Sequence, residues 1–361
     1  MLPDADAVAA VAVSKGVIVL ERDGTLTRLR LGTQGQTLRW RTTAGVVDVD
    51  DAAAGSADPP WHLTRTGSAL VVASSAGIAV HDIGDGTVRW QVAFDAGPQP
   101  WQAWAIDDAV LAVGQDHLAA FALADGSHLW DRSHPTGDVQ PTEAGVALHS
   151  RDRITMFSPD APTTRWSVTV PPQQTSPLGS THADPGPVIS VGDHVRLYDA
   201  TDGSELARFS PGATATRARS GVTVVAVWDD ASGRPTLIGL DADGAQRWSR
   251  AGPAVPCCEL VLRSLEDGGV VAAPHERPGR REVGEVLDPD DGRTLATLRR
   301  PGQVRALPHA VGDDTAVWQD GSMLIGATTT SGDIGWSAGP DSEVLLESPL
   351  LLTTRDGVLA P

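Results

Sequence analysis

Tryptophan returns in this chain at a nearly constant stride and in one local setting, a turn with glycine followed by a short alternating stretch. The segments are GQTLRW ending at Trp40, DGTVRW at Trp90, DGSHLW at Trp130, DGAQRW at Trp248 and GDIGW at Trp336, with a degenerate copy that lacks the glycine, APTTRW, at Trp166. Two further copies keep the Asp-Gly turn but carry alanine at the last position, DGSELA at Ala207 and DGRTLA at Ala296. The eight marks, 40, 90, 130, 166, 207, 248, 296 and 336, are 36 to 50 residues apart. A period of that length is the mark of a repeat architecture, so it constrains the fold before any other feature.

Within a period the pattern is that of strands. Ahead of Trp90 stand Ala69-Leu-Val-Val-Ala-Ser74, Gly77-Ile-Ala-Val-His-Asp82 and, after an Asp-Gly turn, Thr87-Val-Arg-Trp90. Ahead of Trp130 stand Ala109-Val-Leu-Ala-Val113, Leu118-Ala-Ala-Phe-Ala-Leu123 and His128-Leu-Trp130. Short runs of β-formers separated by Asp-Gly are hairpins, because glycine takes the positive φ of a tight turn. A further short stretch such as Trp101-Gln-Ala-Trp-Ala105 precedes each set. Four antiparallel strands per period make a propeller blade. The reading is an all-β chain: one domain over residues 1–361, an eight-bladed β-propeller of four-stranded antiparallel blades. A partial copy at 349–361 is expected to close the ring by completing the first blade beside Val8–Val13.

Each blade needs both faces covered by its neighbours. A flat ring at a fixed place on the outer strand can lie across the seam, so Trp40, Trp90, Trp130, Trp166, Trp248 and Trp336 are assigned as docking residues. An indole buries about 150–250 Å², worth roughly 4–6 kcal/mol gross per seam at the usual area coefficient. At Ala207 and Ala296 the seam needs another filler, with Phe209 and Leu298 the candidates.

The unit of a strand ending Leu-Asp or Tyr-Asp, an Asp-Gly turn and a tryptophan resembles the tryptophan-docking repeat of the PQQ-like β-propellers, the quinoprotein alcohol dehydrogenase-like and BamB-like family. It is carried by Leu197-Tyr-Asp199 before Gly203, Gly239-Leu-Asp241 before Gly244 and Val286-Leu-Asp288 before Gly292. The resemblance runs from about Gly16 to Trp336 and implies a fold more than an activity. In its dehydrogenase members the resemblance implies PQQ on the propeller axis, with Ca²⁺ held by Glu, Asn and Asp. It also implies, in some members, a disulfide between adjacent cysteines. Cys257 and Cys258 are adjacent and admit two readings, that vicinal disulfide or two free thiols. The chain has no Asn, so the metal set cannot be carried over, and no cofactor is expected.

Other chemistry is thin. The ten histidines, His81, His117, His182, His194 and His275 among them, show no zinc-site spacing. Asp48-Val-Asp-Asp51 and Asp288-Pro-Asp-Asp-Gly292 do not match a calcium loop. No nucleophile elbow, P-loop or dinucleotide fingerprint occurs. No catalytic, cofactor or metal residues are therefore assigned. A formal charge of −18 argues against nucleic acid as a partner. No apolar run approaches the roughly 18 residues of a membrane span.

Three segments depart from the period: the long link Thr42–His62, the proline-rich stretch Pro171–Pro185, and the arginines Arg277, Arg280, Arg281, Arg293, Arg299, Arg300 and Arg305. The arginines alternate with acids, so they read as a self-neutralising surface. The functional expectation is a non-catalytic scaffold for protein partners at the end carrying the long loops. The alternative is an enzyme using the axial pocket, a PQQ-dependent oxidoreductase or a hydrolase. Two compartments fit: extracytoplasmic or cell envelope, with a leader removed or an N-terminal anchor missing, or else cytoplasmic.

Overall fold

The computed structural model describes residues 7–13, 16–21, 23–32, 35–45, 62–94, 101–114, 116–134, 137–171, 186–218, 220–228, 234–253, 260–264, 269–274 and 283–299, and the strands between 308 and 359. Every strand pairing is antiparallel and every sheet is a simple meander. Among the described residues there are seven four-stranded sheets, spanning 7–43, 62–93, 102–133, 138–169, 214–251, 260–299 and 308–338, and two three-stranded ones, 188–208 and 346–359. They are numbered one to nine here in chain order, so 188–208 is sheet five.

The sequence dictates which strand goes where. Second strands are continuous apolar runs such as Ala69–Ala73 and Ala109–Val113, buried along their whole length because sheets cover both faces. Outer strands such as Val88–Ala93 and His128–Ser133 bury little beyond the tryptophan and leave the rest to solvent. The core is accordingly not one cluster but a series of seams. Val71, Val80 and Trp90 of sheet two pack on Ala103, Val110 and Phe121 of sheet three. Leu111, Leu118 and Trp130 pack on Val146, Leu148 and Phe157 in the next seam. The series continues through Met156 and Trp166 against Val188 and Tyr198. Successive sheets packed face to face in this way form a β-propeller.

The partial copy does not complete the first sheet. Residues 7–43 already supply four strands, with Ala7–Val13 innermost, and the copy pairs only within itself as Leu346–Ser348, Leu351–Thr354 and Gly357–Leu359. Its first strand touches both Pro308–Val311 of sheet eight and Ala7–Val13. The physical reason is that Ala7–Val13 is paired along one edge by Gly16–Glu21 over nearly its whole length, and no strand has to be borrowed.

A feature the sequence pattern does not announce recurs in every outer strand of sheets one to eight. The ladder slips by one residue just before the docking position, so that Arg39, Arg89, Leu129, Arg165, Leu206, Arg247, Leu295 and Gly335 are each left over. A bulge adds local twist and re-aims the following side chain. Here that side chain is the one that must lean toward the next sheet.

Candidate functional site

The docking turns are built by short polar side chains acting on their own backbone. Asp85 Oδ1 accepts the amide of Thr87 at 3.0 Å, Asp125 that of Ser127 at 2.9 Å and Asp202 that of Ser204 at 2.8 Å. These amides hold all three carboxyls below the usual carboxylate range. The glycine after each aspartate has a φ of 79° at Gly86, 73° at Gly126 and 76° at Gly203.

Those glycines form the floor on which the preceding sheet's indole lies. A Cβ would stand 2.7 Å from the Trp40 ring at Gly86, 2.6 Å from Trp90 at Gly126, 2.7 Å from Trp166 at Gly203 and 2.6 Å from Trp248 at Gly292. Each indole N–H then donates to a carbonyl of the same turn: Trp40 to Ile83 at 3.0 Å, Trp90 to Leu123 at 2.8 Å, Trp166 to Ala200 at 3.0 Å and Trp248 to Pro289 at 2.6 Å. Trp130 donates to Pro159 at 2.8 Å over a turn without glycine. Trp336 lies in the outer strand Ile334–Ala338, opposite Gly326. Where alanine replaces the ring at Ala207, the neighbouring Leu206 stands over Gly244, and Phe209 joins the seam. Leu298, beyond Ala296, is fully buried.

The inner strands raise a different problem, since each has an edge that no further strand of its own sheet covers. Side chains of the neighbouring sheet cover part of it. Thr64 and Thr66 of His62–Thr66 donate to the carbonyls of Ala103 at 2.9 Å and Ala105 at 3.2 Å in Gln102–Ile106. The Ala103 amide donates to His62 Nδ1 at 3.0 Å, and the same imidazole meets Trp104 edge-on at 4.7 Å. At sheet five, Gln140 Oε1 accepts the Ile189 amide at 3.1 Å and lies 3.1 Å from His149 Nε2. Arg217, from the first strand of sheet six, donates to the carbonyl of Pro141 in the first strand of sheet four at 2.7 Å and to that of Pro187, just before the first strand of sheet five, at 3.3 Å. The inner wall is therefore stitched by neutral polar groups and one buried guanidinium.

The described part of this inner wall does not fit a Ca²⁺–quinone site. Among the described residues the one buried carboxylate is Glu21, at the end of the second strand of sheet one, where it accepts Thr27 Oγ1 at 2.7 Å and the Arg41 guanidinium at 2.7 Å. The side chains of Thr64, Thr66, Gln140 and Arg217 on the inner strands bond backbone atoms, and the described residues gather no group of three metal-binding side chains.

Cys257 and Cys258, the span 46–61 with Trp61, the span 172–185, and Arg277, Arg280, Arg281, Arg300 and Arg305 lie outside the described residues. Arg293 is exposed, 3.5 Å from Asp288 and 3.7 Å from Asp291. No described helix is long and apolar enough to cross a membrane. Sequence reasoning missed the bulges and the stitches of Gln140 and Arg217. A line-by-line alignment of the repeats would have exposed the constant bulge position only with the register in hand.

No family model matches the chain, and no curated protein matches it. Among solved structures it is similar to BamB from Moraxella catarrhalis, at 13% identity over 97% of this chain and 94% of that one, with a TM-score of 0.47. It is also similar to the computationally designed Ika8 protein, at 16% identity over 83% and 95% of the two chains, TM-score 0.49. A europium-containing methanol dehydrogenase matches at 10% identity over 97% and 80%, TM-score 0.48. The chain is a β-propeller on the strength of its own meander sheets and indole-docked seams.

Proposed function

We propose that this propeller is a non-catalytic scaffold that binds protein partners, working in the cell envelope. The observation that carries this reading is how the polar groups are used. Turn carboxylates accept turn amides, and inner-wall polar side chains bond the backbone of the next sheet. Such an arrangement makes a rigid ring and leaves function to the connectors. Because the sheets are meanders, the links between sheets leave from the end opposite the docking turns. The strands that flank the longest such links, 44–61 and 170–187, open at that end, and long insertions on one face of a repeat array are where binding concentrates. The envelope assignment follows the sequence resemblance to BamB-like propellers.

Photo-crosslinking tests this. A photoreactive residue at exposed Gln102 or Asp138, on the link end, should capture one defined protein from envelope fractions, whereas one at exposed Asp125, in a docking turn, should not. Saturable uptake of PQQ with Ca²⁺ at micromolar concentration, together with substrate turnover, would overturn the reading in favour of an oxidoreductase. Equal capture at both ends would also sink it.

A further inference from the structure

One position in the repeat breaks its own rule. The residue of the third strand that pairs two places before the docking position faces the preceding sheet beneath the docking turn. It is Leu29, Phe121, Phe157, Tyr198, Leu240 and Leu287 in six sheets, each of them buried. In sheet eight it is Ala327. In sheet two it is His81, which is 0% exposed.

His81 is held between two carbonyls. Its Nδ1 lies 3.3 Å from the oxygen of Gly86, the glycine under Trp40, and its Nε2 lies 3.2 Å from the oxygen of Ala44, where the chain leaves sheet one. A neutral imidazole carries a single N–H and can donate to one of these oxygens only. The protonated ring could serve both, but only as a cation sealed in the seam. The same docking turn is gripped from sheet one by the Trp40 indole and by Arg28, whose guanidinium donates to Ile83 and Gly84.

We infer that His81 makes the seam between sheets one and two a proton-sensitive latch, closed when the ring is neutral and loosened in mild acid. The charged groups on the packed elements are occupied elsewhere. Glu21 is held by Thr27 and Arg41, Arg89 by Asp82 and Ser68, Asp85 by Thr87, and Arg28 by its two carbonyls; on the inner strand of sheet two, Arg65 is half-buried. Burial pushes the His81 pKa below the usual histidine value, outweighing the carbonyls of Gly86 and Ala44, which act in the opposite sense. The unfolded or opened form therefore binds the proton more readily. Seam stability is fully present above the ordinary value of about 6.5 and is lost as pH falls through the lower folded value.

Hydrogen exchange tests this on the intact chain. With intrinsic rates corrected, amides of the sheet-two docking turn and of Ala44 should lose protection between pH 7.5 and 5.5. By pH 5.5, one unit below the ordinary histidine value, the loss can reach about tenfold. The sheet-three turn at Gly126, above Phe121, should lose none and serves as an internal reference in the same sample. His81→Leu, which installs the residue found at Leu29 and Leu240, should remove the pH response. The inference is overturned by an equal response at both turns, by none at either, or by a response that survives in His81→Leu. Should that variant fold poorly, the two-turn comparison in the unmodified chain decides.

Discussion

The indole of Trp90 lies so close over Gly126 that a Cβ there would stand 2.6 Å from the ring, while its N–H donates to Leu123 in the same turn. Ring, glycine and carbonyl form one unit, and the same unit joins four described pairs of sheets through Gly86, Gly126, Gly203 and Gly292.

Gly126→Ala should therefore be costly for two reasons: a φ of 73° and displacement of the Trp90 ring. The left-handed backbone costs about 1–2 kcal/mol and overpacking about 1–3 kcal/mol more. Gly67 has a φ of 53° and nothing within 4 Å, so Gly67→Ala should show the backbone cost alone. Urea melts of the pair separate the two contributions, and equal losses would contradict the docking geometry.

Trp130→Ala should cost roughly 3–5 kcal/mol, since the ring is only 7% exposed and packs with Trp104, Val146 and Phe157. Trp130→Phe should retain much of the packing and lose the bond to Pro159. A near-neutral alanine variant in denaturant unfolding would show that the seam does not depend on the ring.

Arg217→Met should destabilise by about 2–4 kcal/mol, because the carbonyls of Pro141 and Pro187 each lose a charged donor. Thermal unfolding checks the size. Hydrogen exchange should locate the loss at sheets four to six, leaving sheets one to three protected.

Two acid transitions are expected. The lowered carboxyls of Asp85, Asp125 and Asp202 favour the folded state above their ordinary pKa, near 3.8, and that contribution is lost as pH falls through the lower folded values. This window lies well below that of His81. A Tm profile from pH 8 to 2 should show a first decline that begins below the ordinary histidine value of about 6.5 and that His81→Leu removes. The second, below 4, should soften in Asp125→Ala.

The sequence carried the docking turns openly, because tryptophan and Asp-Gly are rare enough to stand out when repeated. It could not show the bulges, since the leftover residue is arginine, leucine or glycine and only strand register distinguishes it. Nor could it place Gln140 beside Ile189, or Arg217 beside Pro141, because those meetings depend on sheets curving around a common axis. His81 was visible as one histidine among ten, and only the aligned third strands reveal that its counterparts are apolar. The terminal copy was legible as strands, but which strand it would pair with was not, because a short apolar run pairs as well with its own hairpin as with a distant edge.

The repeated slip in the outer strands has one more effect. A straight rim would offer each molecule a ready template on which the next could zip. On eight of the nine described sheets that rim is interrupted, which makes each of them a poor surface for such growth.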